Sequence, residues 1–396
     1  MASDFDNNGL DPAKLRASVS NKWNKNAAAI LPAWVADMDF AVAGPISDAL
    51  KGYHDGQFFG YAVPTLGESV KDAYAKWWGS RYGLAVDPEL TVILTEVVQA
   101  IHAVTYAFTE PDDGVLMLTP IYPPFLGVVE QQRRRLVEHR MTLVEGSYRF
   151  DAEAIRALII SERPKVLLLC NPHNPVGRVF THAELRQLGD LAVEFDMVIL
   201  ADEIHADLVY EPNRHISIAT INPEICARTI TTTSASKSFN LAGLRCAVMS
   251  FGSQALKDRF DAVIPAHLLG IASIPGLLAS RAAWTSGEPW LADCLAQLRA
   301  NRDAVASTFA RELPNVGCAA VEATYLQLLD FTGFPVADDG LVSTRIREEA
   351  LVAMNDGPTF GVGLESFTRL NFGNSPKMLA EILERIVGWA RRATRS

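Results

Sequence analysis

The sequence predicts a doubly wound α/β domain with a mostly parallel sheet, followed by a smaller α+β domain, and three observations carry that expectation. First, continuously apolar runs at 92–94, 115–118, 166–170, 197–201 and 230–233 are separated by helix-length amphipathic segments such as 181–195. Strands buried on both faces read this way, and helical crossovers between them call for a parallel sheet covered on both sides. Second, each run closes on a polar or Gly/Pro cluster, which disfavours buried helical fragments. Third, from about residue 290 the pattern changes to a long helix at 290–313, strands at 325–331 and 368–372, and a last helix at 377–391. The division drawn from this is an arm, 1–45, that belongs with the small domain, a large domain, 46–289, and a small carboxyl-terminal domain, 290–396. Arg133, Arg134 and Arg135 read as a solvated turn before a strand.

Composition narrows the function. With 396 residues, 49% of them hydrophobic and 21% charged, the chain can bury a large core and is neither disordered nor fibrous. Thirty-six Lys and Arg against 46 Asp and Glu leave a net charge of -10, without the basic footprint that nucleic-acid binding requires. The five cysteines (Cys170, Cys226, Cys246, Cys294, Cys318) are scattered and never form CxxC. Neither a disulfide framework nor a thiolate metal site is expected, and a reducing, cytoplasmic compartment fits. The opening MASDFDNNGLDPAKL lacks a basic segment followed by an apolar one, and no run approaches the roughly 18 apolar residues of a membrane span.

Each predicted strand of the large domain runs into a polar cluster: TEVVQ at 95–99, PIYPP at 120–124, NPHNPVG at 171–177, DEIH at 202–205 and SASK at 234–237. The carboxyl ends of strands in an open parallel sheet converge on a ligand crevice, so five distant segments are candidates for one site. HExxH, the P-loop, GxSxG and a complete GxGxxG are all missing from the sequence, so the corresponding chemistries lack support. A lysine at a strand end, Lys237, is instead placed to lose its proton and form a Schiff base. With Asp202 at a parallel position, the pair matches a pyridoxal phosphate site, lysine on the aldehyde and carboxylate on the ring nitrogen.

The motifs WVADMDF (34–40), FGY (59–61), IYPPF (121–125), NPHNPVG, DEIHADL (202–208), SASKSFNLAGLR (234–245), TYL (324–326) and RLNF (369–372) together resemble the MalY/PatB group of cystathionine β-lyases. These are fold-type I pyridoxal phosphate enzymes of the class I/II aminotransferase superfamily, and the resemblance covers nearly the whole chain. It implies that Lys237 bonds the cofactor and then moves the Cα proton, that Asp202 keeps the ring nitrogen protonated, and that Asn174 meets the 3-oxygen and contacts the substrate. Tyr122 would stack on the ring. His205 stands where many relatives carry a tyrosine near the 3-oxygen, and a satisfied buried histidine is the other reading. The phosphate would be held by Arg245, Ser234 and the amides of Val97 and Val98 at a helix start. Arg369 would pin the substrate carboxylate. Ala36 would line the substrate site, within a segment that serves equally as packing for the arm.

The resemblance further implies a homodimer with shared sites, in which Tyr61 and the stretch 267–275 complete the neighbour's site; for Tyr61 a core aromatic is the alternative. It implies β-elimination from cystathionine or another S-substituted L-cysteine, with an aminotransferase, a specialised lyase or decarboxylating enzyme on a larger S-conjugate, and a non-catalytic cofactor-binding regulator as rivals. Some positions depart from the group. Glu96 and Gln99 flank the two valines where a glycine and a proline are usual, and a carboxylate beside a phosphate repels it unless it points away. Gln327-Leu328 and Gly373-Asn374-Ser375 also differ, and are candidates for reshaping the substrate pocket.

Overall fold

The computed structural model describes residues 3–334 and 340–393. Its main sheet has seven strands: β1 (Thr91–Leu94), β2 (Gly114–Thr119), β3 (Arg135–Arg140), β4 (Val166–Cys170), β5 (Val198–Asp202), β6 (Thr229–Thr233) and β7 (Ala247–Phe251). Their spatial order is β1-β7-β6-β5-β4-β2-β3. All adjacent pairs are parallel except those of β7, which runs antiparallel to both β1 and β6.

Every residue of β2, β4, β5, β6 and β7 is buried, which is why most of these segments read as unbroken apolar runs. Alternation sorts their side chains onto two faces. Met117, Leu168 and Leu200 pack with Val97, Ile101 and Val104 of α1 (Val97–Phe108). Leu116, Leu167 and Ile199 pack on the other face with Leu185 and Leu188 of α2 (His182–Glu194). Each such fully buried aliphatic side chain contributes about 1.5–3 kcal/mol relative to exposure. The sequence of β6, TITTT, is polar, which corrects the reading of 230–233 as an apolar run; the strand is buried all the same because its hydroxyls find partners, Thr232 Oγ1, for example, donating to the Val248 carbonyl at 3.0 Å. The start of α2 is fixed by a capping box between Thr181 and Glu184.

A second sheet contains β8 (Leu326–Asp330), β9 (Asn355–Asp356) and β10 (Phe367–Asn371), all antiparallel, with Gly317–Cys318 at its edge in the order Gly317–Cys318, β8, β10, β9. Leu326, Leu329 and Leu370 share one apolar cluster with Leu298, Val305 and Phe309 of α3 (Glu288–Glu312) and Leu379, Ile382 and Ile386 of α4 (Pro376–Ala393). The amino-terminal segment is tied to this domain through a separate two-stranded sheet. Leu31–Pro32 pairs in parallel with Val352–Ala353, and the Asn371 amide donates to the Ala33 carbonyl at 2.9 Å. Buried Lys22 forms an ion pair with Asp39 at 2.9 Å and donates to the Asp37 carbonyl and Asn374 Oδ1, so the 34–37 backbone is fixed from both sides.

Two sequence expectations need correction. Arg135 is the first residue of β3, and half-buried Arg134 donates to Thr109 Oγ1 at 2.8 Å, so the solvated turn shrinks to Arg133. Strand β7, which was not anticipated, starts directly after Cys246, where a functional motif merges into AVMSF without a turn signal.

Candidate active site

The carboxyl ends of β1, β4, β5 and β6 and the amino end of antiparallel β7 meet around a cavity of about 640 Å³. All the predicted site residues line it except Tyr61, which is 98% exposed. The segment 34–37 and Asn355 form the opposite wall.

Lys237 lies in the short helix Ala235–Ser238 that follows β6. Its Nζ donates to the Ala36 carbonyl at 2.9 Å, and the Tyr325 hydroxyl donates to the same oxygen at 2.8 Å. Enclosure lowers the lysine's pKa, opposed by the nearby carboxylate of Asp37, with Arg369 lowering it further. An ammonium that gives up its proton more readily is what a nucleophile or general base at this position needs. Asp202 closes β5 and is 4% exposed. Burial pushes its carboxyl up to about 7, although the Ile204 amide donates to Oδ1 at 3.0 Å and lowers it. Such a carboxylate gains by facing a cation. His205 is buried, and burial, assisted by Lys237 and Arg369, pushes it down to about 3, so the ring is neutral. Its Nδ1 is buried without a hydrogen-bond partner among the described residues, so the reading of His205 as a satisfied core histidine does not hold for that atom.

Asn174 and Arg369 come from different sheets and lock together: Arg369 NH1 donates to Asn174 Oδ1 at 2.9 Å. NH2 donates to the Trp34 carbonyl at 3.1 Å and to Asn355 Oδ1 at 2.7 Å. The guanidinium also stacks 4.9 Å from the Phe360 ring centroid. Burial pushes it down to about 10, and its Nε is buried without a hydrogen-bond partner among the described residues. The loop carrying Asn174 is fixed by Gly177, whose φ of +70° and contact with Val321 admit no side chain; its carbonyl accepts the amides of Glu322 and Ala323. Tyr122, at the start of the helix Pro123–Gln131, is half-buried with its hydroxyl pKa raised by burial.

At the other end of the cavity α1 begins at Val97, and its first amides have no intrahelical acceptor. Ser234 donates to the Cys246 carbonyl at 2.6 Å and accepts from the Ser236 amide, capping its own short helix. Arg245 adopts a left-handed φ of 57° just before β7, a conformation that costs a non-glycine residue roughly 1–2 kcal/mol and often marks functional positions. Its guanidinium is paired with Glu96. Gln99 accepts from the amide and hydroxyl of Thr95 and donates to the Leu269 carbonyl at 2.7 Å.

Like Gln99, two further departures lie outside the cavity lining. Gln327 is buried and donates to the Ala319 carbonyl at 3.1 Å. Asn374 is buried and holds Lys22. Both serve packing and polar satisfaction, which corrects the expectation that they shape the substrate pocket. Conversely, Asp37, Ser236 and Asn355 line the cavity without having been singled out. The first two lie inside motifs already noted; Asn355 sits on a two-residue strand whose sequence carries no periodic signal.

Residues 43–386 match the family described as aminotransferase class I and II, well over half of the chain. The chain belongs to this family. Among its relatives is cystathionine beta-lyase PatB of Bacillus subtilis, 33% identical over 93% of this chain and 95% of that protein. A PLP-bound putative aminotransferase from Clostridium difficile superposes with a TM-score of 0.92 at 30% identity, covering 98% of this chain and all of the other. A putative PLP-dependent beta-cystathionase from Corynebacterium diphtheriae gives 0.90 at 30% identity, over 97% and 98% of the two chains. The class I/II fold expected from the sequence is thus the fold observed. Among the described residues no helix is long and apolar enough to cross a membrane.

Proposed function

We propose that the cavity binds pyridoxal 5'-phosphate and that the protein is a carbon–sulfur β-lyase, converting cystathionine or another S-substituted L-cysteine into a thiol, pyruvate and ammonia. The observation that carries this reading is the meeting of Lys237, Asp202 and the Asn174–Arg369 pair in one cavity, within a family whose relatives include a cystathionine beta-lyase. The residues suit the cofactor. Asp202, whose carboxyl is pushed up by burial, would receive a protonated ring nitrogen, Tyr122 would cover the ring, and Asn174 with the orphan Nδ1 of His205 would face its polar edge. Arg245, Ser234 and the amides of Val97 and Val98 would hold the phosphate. When bound, the cofactor supplies an electron sink for the pair released at Cα.

In this reading Lys237 takes the Cα proton, its basicity favoured by enclosure. Arg369, with Nε still unpaired, receives the substrate's α-carboxylate, which holds Cα–H where Lys237 reaches it. The electron pair from Cα–H ends by expelling the thiolate from Cβ, and the three-carbon enamine left behind is hydrolysed to pyruvate and ammonia. Ala36 and Asp37, which line the cavity, would face the sulfur substituent.

A homodimer completes the proposal. Tyr61 at 98%, Phe58 at 70%, Leu268 at 70% and Ile271 at 84% are exposed on one chain, more apolar surface than water tolerates comfortably, and Tyr61 would enter the phosphate end of the neighbour's site. The domain division at residues 45 and 289 belongs to the same reading, as does a reducing, cytoplasmic setting that suits five unpaired cysteines. The test is incubation with cystathionine, cysteine and S-alkyl cysteines while thiol, pyruvate and carbon dioxide are measured together. Stoichiometric thiol and pyruvate support the lyase; a keto acid that keeps its sulfur marks an aminotransferase, and carbon dioxide a decarboxylating enzyme.

A further inference from the structure

The phosphate end of the cavity contains a charge that phosphate binding does not need. Glu96 is the N-cap residue of α1, directly before Val97 and Val98, yet its side chain makes no capping bond to the helix. Its carboxylate is paired with Arg245, both residues line the cavity, and both side chains keep solvent access, 45% and 58%. The Glu96 carboxylate takes up NH1 of Arg245 and part of its charge, and the start of a helix favours whichever anion occupies it. A carboxylate and a phosphate therefore compete for the same cation and the same amides.

We propose that Glu96 stands in for the cofactor's phosphate: it neutralises Arg245 while the cup is empty and must be displaced for pyridoxal phosphate to bind, so this chain holds its cofactor in readily reversible form. The inference rests on the assignment of the cup made above. An exposed ion pair opens at little cost, so Glu96 weakens loading without blocking it, and once displaced its charge remains beside the phosphate and repels it. The loop itself does not depend on Glu96. Gln99 ties Thr95 to the Leu269 carbonyl, and Gln99 N donates to the backbone carbonyl of residue 96, a bond any side chain there would keep.

The experiment is equilibrium dialysis of the full chain against graded pyridoxal 5'-phosphate, and in a second arm against pyridoxal, which lacks the phosphate. Bound cofactor is quantified after borohydride reduction, for the wild type, Glu96→Gln and Glu96→Gly. Both variants are expected to bind pyridoxal phosphate at least about tenfold more tightly, with pyridoxal affinity moving less than about twofold, because only the phosphate meets the missing charge. Unchanged or weaker pyridoxal phosphate binding in both variants overturns the proposal. So does an equal gain for pyridoxal, which would place the effect away from the phosphate. Wild-type protein that takes up no cofactor on Lys237 at any concentration refutes the cofactor assignment itself, and with it this inference, so the two failures are told apart.

Discussion

At the inner end of the cavity Asp202, Asn174 and Arg369 are 4%, 4% and 3% exposed, whereas at the outer end, where we propose the phosphate binds, the Arg245 side chain is 58% exposed. The inner groups come from both sheets and hold one another in place: Arg369 bridges Asn174, the Trp34 carbonyl and Asn355, and Lys237 leans on Ala36. In a desolvated setting each of these contacts is strong and geometrically demanding, so under the proposed function the groups that would act at Cα are held by contacts within this chain. The outer end carries an exposed ion pair, Arg245 with Glu96, beside a helix start. The difference implies, under the proposed function, that positioning of the reacting atoms and retention of the cofactor rest on different groups, and substitutions should separate them.

The largest expected effect is at the inner end. Lys237→Ala removes the proposed Cα base and should lower pyruvate release by about a thousandfold or more, while Arg245 and the α1 amides still take up cofactor noncovalently. Pyruvate assay together with absorbance of dialysed protein checks both halves. Normal turnover in this variant would end the lysine assignment and the contrast with it. Next comes Arg369→Ala. Loss of a charge-assisted carboxylate contact is worth about 1.5–3 kcal/mol, so kcat/KM should fall roughly tenfold to a hundredfold, with cofactor content unchanged. If cofactor content fell with the rate, the two ends would not be independent.

The inner end was the more legible from sequence, and the reason is physical. Strands buried on both faces are mostly apolar, as β4 and β5 are, so the first polar residue after such a run, Asn171 after β4 or Asp202 closing β5, announces the crevice. The outer end gave a weaker signal. Arg245 reaches the site because β7 runs antiparallel and brings its amino end to the crevice, and that reversal is invisible in AVMSF; only the resemblance pointed to this arginine. Asn355 was out of reach because its place opposite Arg369 is a matter of register between two short segments. The roles of Glu96 and Gln99 depended on which partners their side chains found, Arg245 and the Leu269 carbonyl.

A smaller effect sharpens the picture of the buried end in the cofactor-free chain. Burial pushes His173 down to about 4 and His205 down to about 3. Between roughly pH 4 and 6.5 the unfolded chain therefore binds a proton at each histidine that the folded chain refuses, so each term makes stability fall as pH falls. Asp202, pushed up to about 7, is protonated when folded and ionised when unfolded over about the same range, which offsets one of those protons. Together the three groups should make stability rise with pH near pH 5 by about 1.4 kcal/mol per unit. Asp202→Asn removes the offset and should roughly double that slope, measured from urea midpoints at closely spaced pH values. A slope that the substitution leaves unchanged would mean that Asp202 is ionised in the folded chain and already faces a cation.

The smallest effect on activity is expected at Gln327, and strand geometry says why. In the antiparallel pair of β8 and β10, Leu328 stands opposite Arg369 and Gln327 opposite Leu370. Residues directly opposite share a face and neighbours along a strand do not, so Gln327 points away from the face that presents Arg369 to the cavity. Its amide instead donates to the half-buried Ala319 carbonyl and to the carbonyl of Leu328. Gln327→Ala leaves both carbonyls short of that donor and should destabilise the fold by about 1–3 kcal/mol, read as a lowered urea midpoint. The ratio of kcat/KM between cystathionine and a small S-alkyl cysteine should move by less than about twofold. A change of preference between the two without a loss of stability would instead place residue 327 in communication with the substrate and shift part of the specificity from the cavity wall to the sheet behind it.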